Sequence, residues 1–148
     1  MFYIVANELL ISMNIDHSSH MDEVEALRRR AGEFLDLARE AIGKGAYDVS
    51  CFLSEQAVQM RLKSMLLEYV GDYPRIHNIR ALLVEVMKSR ENDILKKFMK
   101  KNRIRIVALE DAYIISRYTP TKYTKEDAED FVRLVDEIMS LMNGTMGK

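Results

Sequence analysis

The sequence predicts an all-α protein, an up-and-down bundle of about five helices, and three observations carry that prediction. Gly and Pro together number only eight in 148 residues, while apolar residues make up 48% and charged residues 30%. That is the composition of a helical globular domain rather than of a disordered or β-rich chain. Apolar residues also recur at intervals of three and four, the period of an α-helix. Finally, the breaks between these runs are short, which makes successive helices antiparallel neighbours. A chain of this length closes one sizeable core and matches one domain.

Residues 1–20 read as an N-terminal extension or lead, and 21–148 as the helical domain. The opening MFYIVANELLISM is apolar, but it lacks a basic leading region, contains Glu8 and is too short to span a bilayer. It is neither signal peptide nor membrane anchor on that reading, and no membrane partner is expected. The polar run NIDHSSH follows as a linker. An ordered lead would be a strand or helical arm packed on the body or on a partner chain.

The first helix carries Val24, Leu27, Ala31, Phe34, Leu35, Ala38, Ala41 and Ile42 on one stripe and stops at Gly43-Lys44-Gly45. The second runs from Tyr47 to Val70, with Val49, Phe52, Leu53, Ala57, Met60, Ser64 and Leu67 expected inward. Gly71-Asp72-Tyr73-Pro74 then breaks the chain, because proline disfavours helix in the residue before it. A shorter third helix carries Ile79, Leu82, Leu83 and Val86. The fourth pattern steps through Leu95, Met99, Asn102, Ile106, Leu109, Tyr113 and Ser116. Asn102 either pins a register in that seam or breaks the helix, and the spacing favours one continuous or gently kinked helix. After the loop 118–123, Thr124 caps a last helix whose first turn holds Glu126 and Asp127, and which continues through Phe131, Val135, Ile138 and Met142.

Composition also narrows function. One cysteine, Cys51, excludes an internal disulfide and a cysteine-based metal cluster and fits a reducing cytoplasm. Three histidines, two of them within 17–20, make a zinc site poor. A net charge of −1 supplies no global field for nucleic acid, so any such role needs a local patch. No cofactor and no metal are expected.

On the second helix Glu55, Gln59 and Lys63 recur every four residues, with Gln56 beside them. Taken alone they read as a solvated face. His77, in Pro74-Arg75-Ile76-His77, could likewise only cap a helix, while Arg117 could favour the negative end of its helix with Tyr118 in the core. The ordered set has a different meaning. The segments GAYDVSCFLSEQAVQMRLKSML, PRIHNIRALL and SRY before a threonine-led helix resemble, over residues 22–142, the HEPN family of small helical nucleotide-binding domains. In that family a Gln-Ala run followed by lysine precedes a Pro-x-x-His step and a later Arg-Tyr pair. Here Gln56-Ala57, Lys63, His77 and Arg117-Tyr118 stand at those places.

The resemblance implies a HEPN-like bundle, helix-to-helix homodimers, and binding of a nucleotide or nucleic-acid phosphate by Glu55, Gln56, Lys63, His77, Arg117 and Tyr118. It also implies a separate minimal nucleotidyltransferase as partner, in a toxin–antitoxin-like pair. Family members that are metal-independent ribonucleases carry an arginine followed four to six residues later by histidine. No arginine here has a histidine at that distance, and Arg75 is too close to His77. Catalysis is therefore disfavoured, and His77 with Arg117 is the only displaced pair to consider. Gln59 stands where many relatives have glutamate, which leaves Glu55 a poor magnesium ligand by itself.

Six cations fall between Lys96 and Arg105 with no acid among them. They read first as a solvated face and second as a phosphate-tracking patch. The remaining reading of the whole chain is an interaction module without a ligand, its polar set only ordering the core.

Overall fold

Leu, Val, Ile and Met at helical spacing bury themselves around one central helix. The structure, a computed structural model, describes residues 17–146. Among these lie six helices: α1 (His17–Gly43), α2 (Tyr47–Val70), α3 (Ile79–Ser89), α4 (Asp93–Lys101), α5 (Arg103–Tyr118) and α6 (Lys125–Met146). The apolar lead, 1–16, falls outside the described residues. Helix α1 begins at His17, so the end of the stretch read as a polar linker belongs to its first turn. No described helix is long and apolar enough to cross a membrane.

The expected α1–α2 hairpin forms through a three-residue connection. Gly45 takes φ +75°, the left-handed conformation that a side chain would strain. Its N–H bonds to Ile42 O at 3.0 Å and that of Ala46 to Ala41 O at 2.9 Å, satisfying carbonyls at the end of α1. At the other end of the hairpin, His20 Nε2 donates to Leu67 O at 2.9 Å. Between them, the buried Ser50 hydroxyl donates to Ala38 O at 2.8 Å.

Helix α2 packs against α1, α3, α5 and α6. A helix with neighbours on so many sides has no single inward stripe, and the expected one is wrong in part. Ala57, Ser64 and Leu67 are buried, but Val49 is 52% exposed and Phe52, Leu53 and Met60 are only half-buried. The core side chains of α2 are instead Cys51, Val58, Leu62, Met65 and Leu66, packed with Leu82, Leu83, Leu109, Leu134 and Ile138 from α3, α5 and α6. Six polar residues of α2 are buried as well: Ser50, Ser54, Glu55, Gln59, Arg61 and Ser64. Each carries desolvation that only a partner offsets. Arg61, for example, donates to Ser64 Oγ at 3.1 Å and to Asn143 Oδ1 at 2.7 Å on α6.

The remaining boundaries follow local chemistry. Gly71, at φ +90°, ends α2 and returns its N–H to Leu67 O. Asn78 and Asn92 cap α3 and α4 by accepting from Ala81 N and Leu95 N. Thr124 caps α6 as expected: its Oγ1 accepts from Asp127 N while Asp127 accepts from Thr124 N, a reciprocal capping box. The fourth pattern, expected to be one helix, is two. Asn102, at φ −108° and ψ 22°, leaves helical geometry, donates through Nδ2 to Phe98 O at 3.0 Å and accepts from Arg105 Nη1 at 2.9 Å. Its amide thus serves the end of α4 and the start of α5, the local competition that asparagine offers a helix. Arg105 continues to Asp130, and Arg39 to Asp136, fastening α5 and α1 to α6. Arg80 fastens α3 to α5 through Glu110.

Candidate functional site

Glu55, Gln59 and Lys63 lie one turn apart on α2, on the side covered by α5 and by the Tyr73–Asn78 connection. The solvated-face reading fails here, because Glu55 is fully buried and Gln59 is 3% exposed. Glu55 accepts from Gln56 Nε2 at 2.7 Å and from Gln59 Nε2. The other end of the Gln59 amide, Oε1, accepts from Lys63 Nζ at 3.3 Å and faces His77 Nδ1 at 3.1 Å. One carboxamide therefore orients a carboxylate on one side and a lysine and a histidine on the other. A glutamate at this position would set two carboxylates against each other, and a glutamine removes that repulsion while keeping the acceptor.

His77 precedes α3, whose cap is Asn78 and not His77. Its ring stacks on Tyr113 at 4.7 Å and 15°. With Nδ1 turned to Gln59, Nε2 is the ring position left for an outside group. Arg117 stands one turn beyond Tyr113 on α5. Its Nε and Nη2 donate to Tyr113 O at 2.8 and 2.6 Å, and its guanidinium lies 4.4 Å from the Tyr113 ring, 4.8 Å from Phe52 and 4.7 Å from Tyr118. Tyr118, expected to fill the core if it had no other role, is 69% exposed and forms one wall of this aromatic cage. Lys63 Nζ faces the Tyr73 ring at 5.7 Å. Arg117 is exposed, and cation–ring contacts at exposed sites contribute about 0.5–1 kcal/mol each.

All six residues that the resemblance implies thus fall in one cluster, and Gln59, Tyr113, Phe52 and Tyr73 join them. Gln59 is the hub, although its sequence reading saw only a lost carboxylate. Tyr113 carries both His77 and Arg117, and Phe52 closes the cage. A signal for Tyr113 was present in its spacing of four from Arg117. None announced Gln59 except its place midway between Glu55 and Lys63.

Burial pushes the Glu55 carboxyl up to about 7, with the bonds from Gln59 and Gln56 and the charges of Lys63 and Arg117 restraining the rise. Burial lowers Lys63, opposed by Glu55. Burial also lowers His77, reinforced by Lys63 and Arg117, so its ring is neutral at neutral pH. The buried thiol of Cys51, pushed up to about 12, is no nucleophile. Among the described residues no group of three or more His, Cys, Asp or Glu could hold a metal ion.

The raised carboxyl has a thermodynamic sign. Glu55 binds its proton more tightly folded than unfolded, so it withdraws stability as pH rises from its ordinary value, 4.5, to about 7. His77, lowered on folding, contributes the opposite slope near 6.5. Glu55→Gln removes the first effect and leaves the second. The variant's stability relative to wild type, measured by urea unfolding, is expected to increase steadily between pH 4.5 and 7. A pH-independent difference would contradict the buried, proton-sharing carboxyl.

Comparison with known proteins agrees with this construction. The HEPN domain profile matches residues 24–145. The crystal structure of TT1696 from Thermus thermophilus superposes with a TM-score of 0.68 at 23% identity, over 82% of this chain and 97% of that one. The crystal structure of ST0689, an archaeal HEPN homologue, gives 0.60 at 27% identity, over 82% and 96%. Comparison with curated proteins gives no match. The match over most of the helical body makes the chain a member of the HEPN domain family.

Proposed function

We propose that the chain binds the phosphate of a nucleotide or nucleic acid at Lys63, His77 and Arg117, as a non-catalytic module working beside a separate minimal nucleotidyltransferase. The observation that carries this reading is the anchoring of Lys63 and a neutral His77 on one buried amide–carboxylate pair, with Arg117 held on the same Tyr113 ring that His77 stacks against. Lys63 and Arg117 supply charge for phosphate oxygens. The exposed ring of Tyr118 offers stacking surface for a base. The absence of the ribonuclease spacing favours binding over cleavage.

Calorimetric titration with ATP and with a short single-stranded RNA tests the site. Lys63→Ala and Arg117→Ala are each expected to weaken binding by about tenfold or more, the scale of one lost charge-assisted hydrogen bond, while the thermal transition persists. Absence of binding by the wild type, or unfolding of both variants, overturns the reading in favour of a structural network.

The homodimer belongs to the same proposal. Helix α5 exposes Ile104 (86%), Ile114 (49%) and Tyr118 (69%), which fall on one stripe with Val107. An apolar stripe open to water on an otherwise amphipathic helix suits pairing with its copy. Ile104→Asp combined with Ile114→Asp is expected to halve the mass found by light scattering. An unchanged mass would place any dimer contact elsewhere.

One observation favours an alternative, a metal-independent ribonuclease toxin. His77 and Arg117 both lie against the Tyr113 ring, so an imidazole suited to proton transfer and a guanidinium suited to phosphoryl charge have one ring as a common neighbour. Structured RNA incubated with wild type and His77→Ala decides it: cleavage lost in the variant supports the enzyme, while cleavage that persists, or none by either protein, dismisses it.

A further inference from the structure

A second concavity lies between α3, α4 and the first turn of α5, next to the face of α5 that carries Tyr113 and Arg117 but outside the site described above. It encloses 350 Å³. Its floor is Val84, Met87, Met99 and Ile106, and its rim is Arg80, Lys96, Lys100 and Arg103. Arg80 is neutralised by Glu110, which accepts from its Nε at 3.0 Å and from its backbone N at 2.7 Å. Lys96, Lys100 and Arg103 form no ion pair among the described residues, although carboxylates engage Arg105, two positions further along.

Helical spacing that continues across Asn102 builds this arrangement: Lys96, Met99 and Lys100 on α4 and Arg103 and Ile106 on α5 stand at i, i+3, i+4, i+7 and i+10, one face, and border the same groove. Lys97, Lys101 and Arg105 do not line it.

We infer that this groove receives an acidic amphipathic helix of a partner protein, whose apolar stripe seats on the Met87–Met99 floor and whose carboxylates meet Lys96, Lys100 and Arg103. Charge complementarity argues for the acidic character of the occupant: three cations surround an apolar strip, and no acid among the described residues answers them. The chemistry of the floor argues for a helix. Thioether and aliphatic side chains adapt to leucine and isoleucine knobs at i, i+3/i+4 and i+7. The groove has no aromatic ring on which a base could stack, so a single-stranded nucleic acid finds only its rim. The inference does not depend on the nucleotide reading of the Lys63–His77–Arg117 site.

The test uses the whole chain and a displayed library of 18-residue peptides (about five turns,) with a fixed leucine stripe and polar positions randomised among Glu, Gln and Lys. Selection is expected to enrich glutamate, and a benzophenone attached at Val84→Cys in a Cys51→Ala background to cross-link the selected peptide. Lys96→Glu, Lys100→Glu and Arg103→Glu together alter only exposed side chains, so the circular dichroism should stay as in wild type while peptide affinity falls by at least about tenfold. Retained ATP binding in that triple variant would separate this groove from the nucleotide site. Enrichment of lysine, no enrichment, or cross-linking away from α3 and α4 overturns the proposal. So does a triple variant that binds the peptide unchanged, that loses only RNA binding, or that changes the mass of the protein alone, the last result assigning the groove to a second copy.

Discussion

The fold depends on one constraint: α2 must run through the middle of the bundle while burying a carboxylate. A helix surrounded by four others is ordinarily apolar on every side, yet Glu55 is fully buried. An ionised carboxylate in that position is tolerable only with donors already aligned, and Gln56 and Gln59 supply them from the same helix. Gln59 in turn is held by Lys63, and His77 is held by Gln59. The requirement to satisfy one buried acid thus travels outward, residue by residue, to the surface where a ligand could meet it. These side chains form one network, since removing the hub would strand a buried charge and misplace the groups at the opening at once.

Most of the architecture is legible in the residues because it is encoded by local rules. Gly45 and Gly71 mark left-handed turns, Thr124 and Asp127 form a capping box, and the short 44–46 link dictates an antiparallel hairpin. Two departures share a physical source in tertiary context. A single inward stripe treats α2 as a helix with one buried side, which places Val49 inside and passes over Cys51, Val58 and Leu62. Asn102 is legible as either a register pin or a break, and the periodicity that continues across it favours the unbroken helix. What ends α4 is the side-chain amide bonding to Phe98 O, a competition invisible to hydrophobic spacing.

The site is legible in a different way. Its members emerge through an ordered resemblance across the chain, since individually each has an ordinary explanation. The resemblance locates the Gln-Ala run, the lysine, the histidine and the Arg-Tyr pair but not what joins them. Gln59 looks like a loss when judged as a metal ligand. Its value lies in having two unlike ends, one donating to a carboxylate and one accepting from Lys63 and facing His77, which no carboxylate in its place could do. Tyr113 escapes notice for a similar reason: a tyrosine on an apolar seam passes for core until a histidine and an arginine are found on it.

The near-neutral affinity of Glu55 for its proton gives the cluster an adjustable charge. Burial raises the Glu55 carboxyl to about 7, so the counter-charge that Lys63 and Arg117 face depends on pH in the range up to neutrality. Any anion that settles beside those cations repels the ionised form and shifts Glu55 further toward its acid. By linkage, an anion bound at the proposed site would draw a proton from the solvent, and its affinity would strengthen as the medium becomes more acidic through that range. The buried acid would then withdraw its negative charge when another negative charge takes its place.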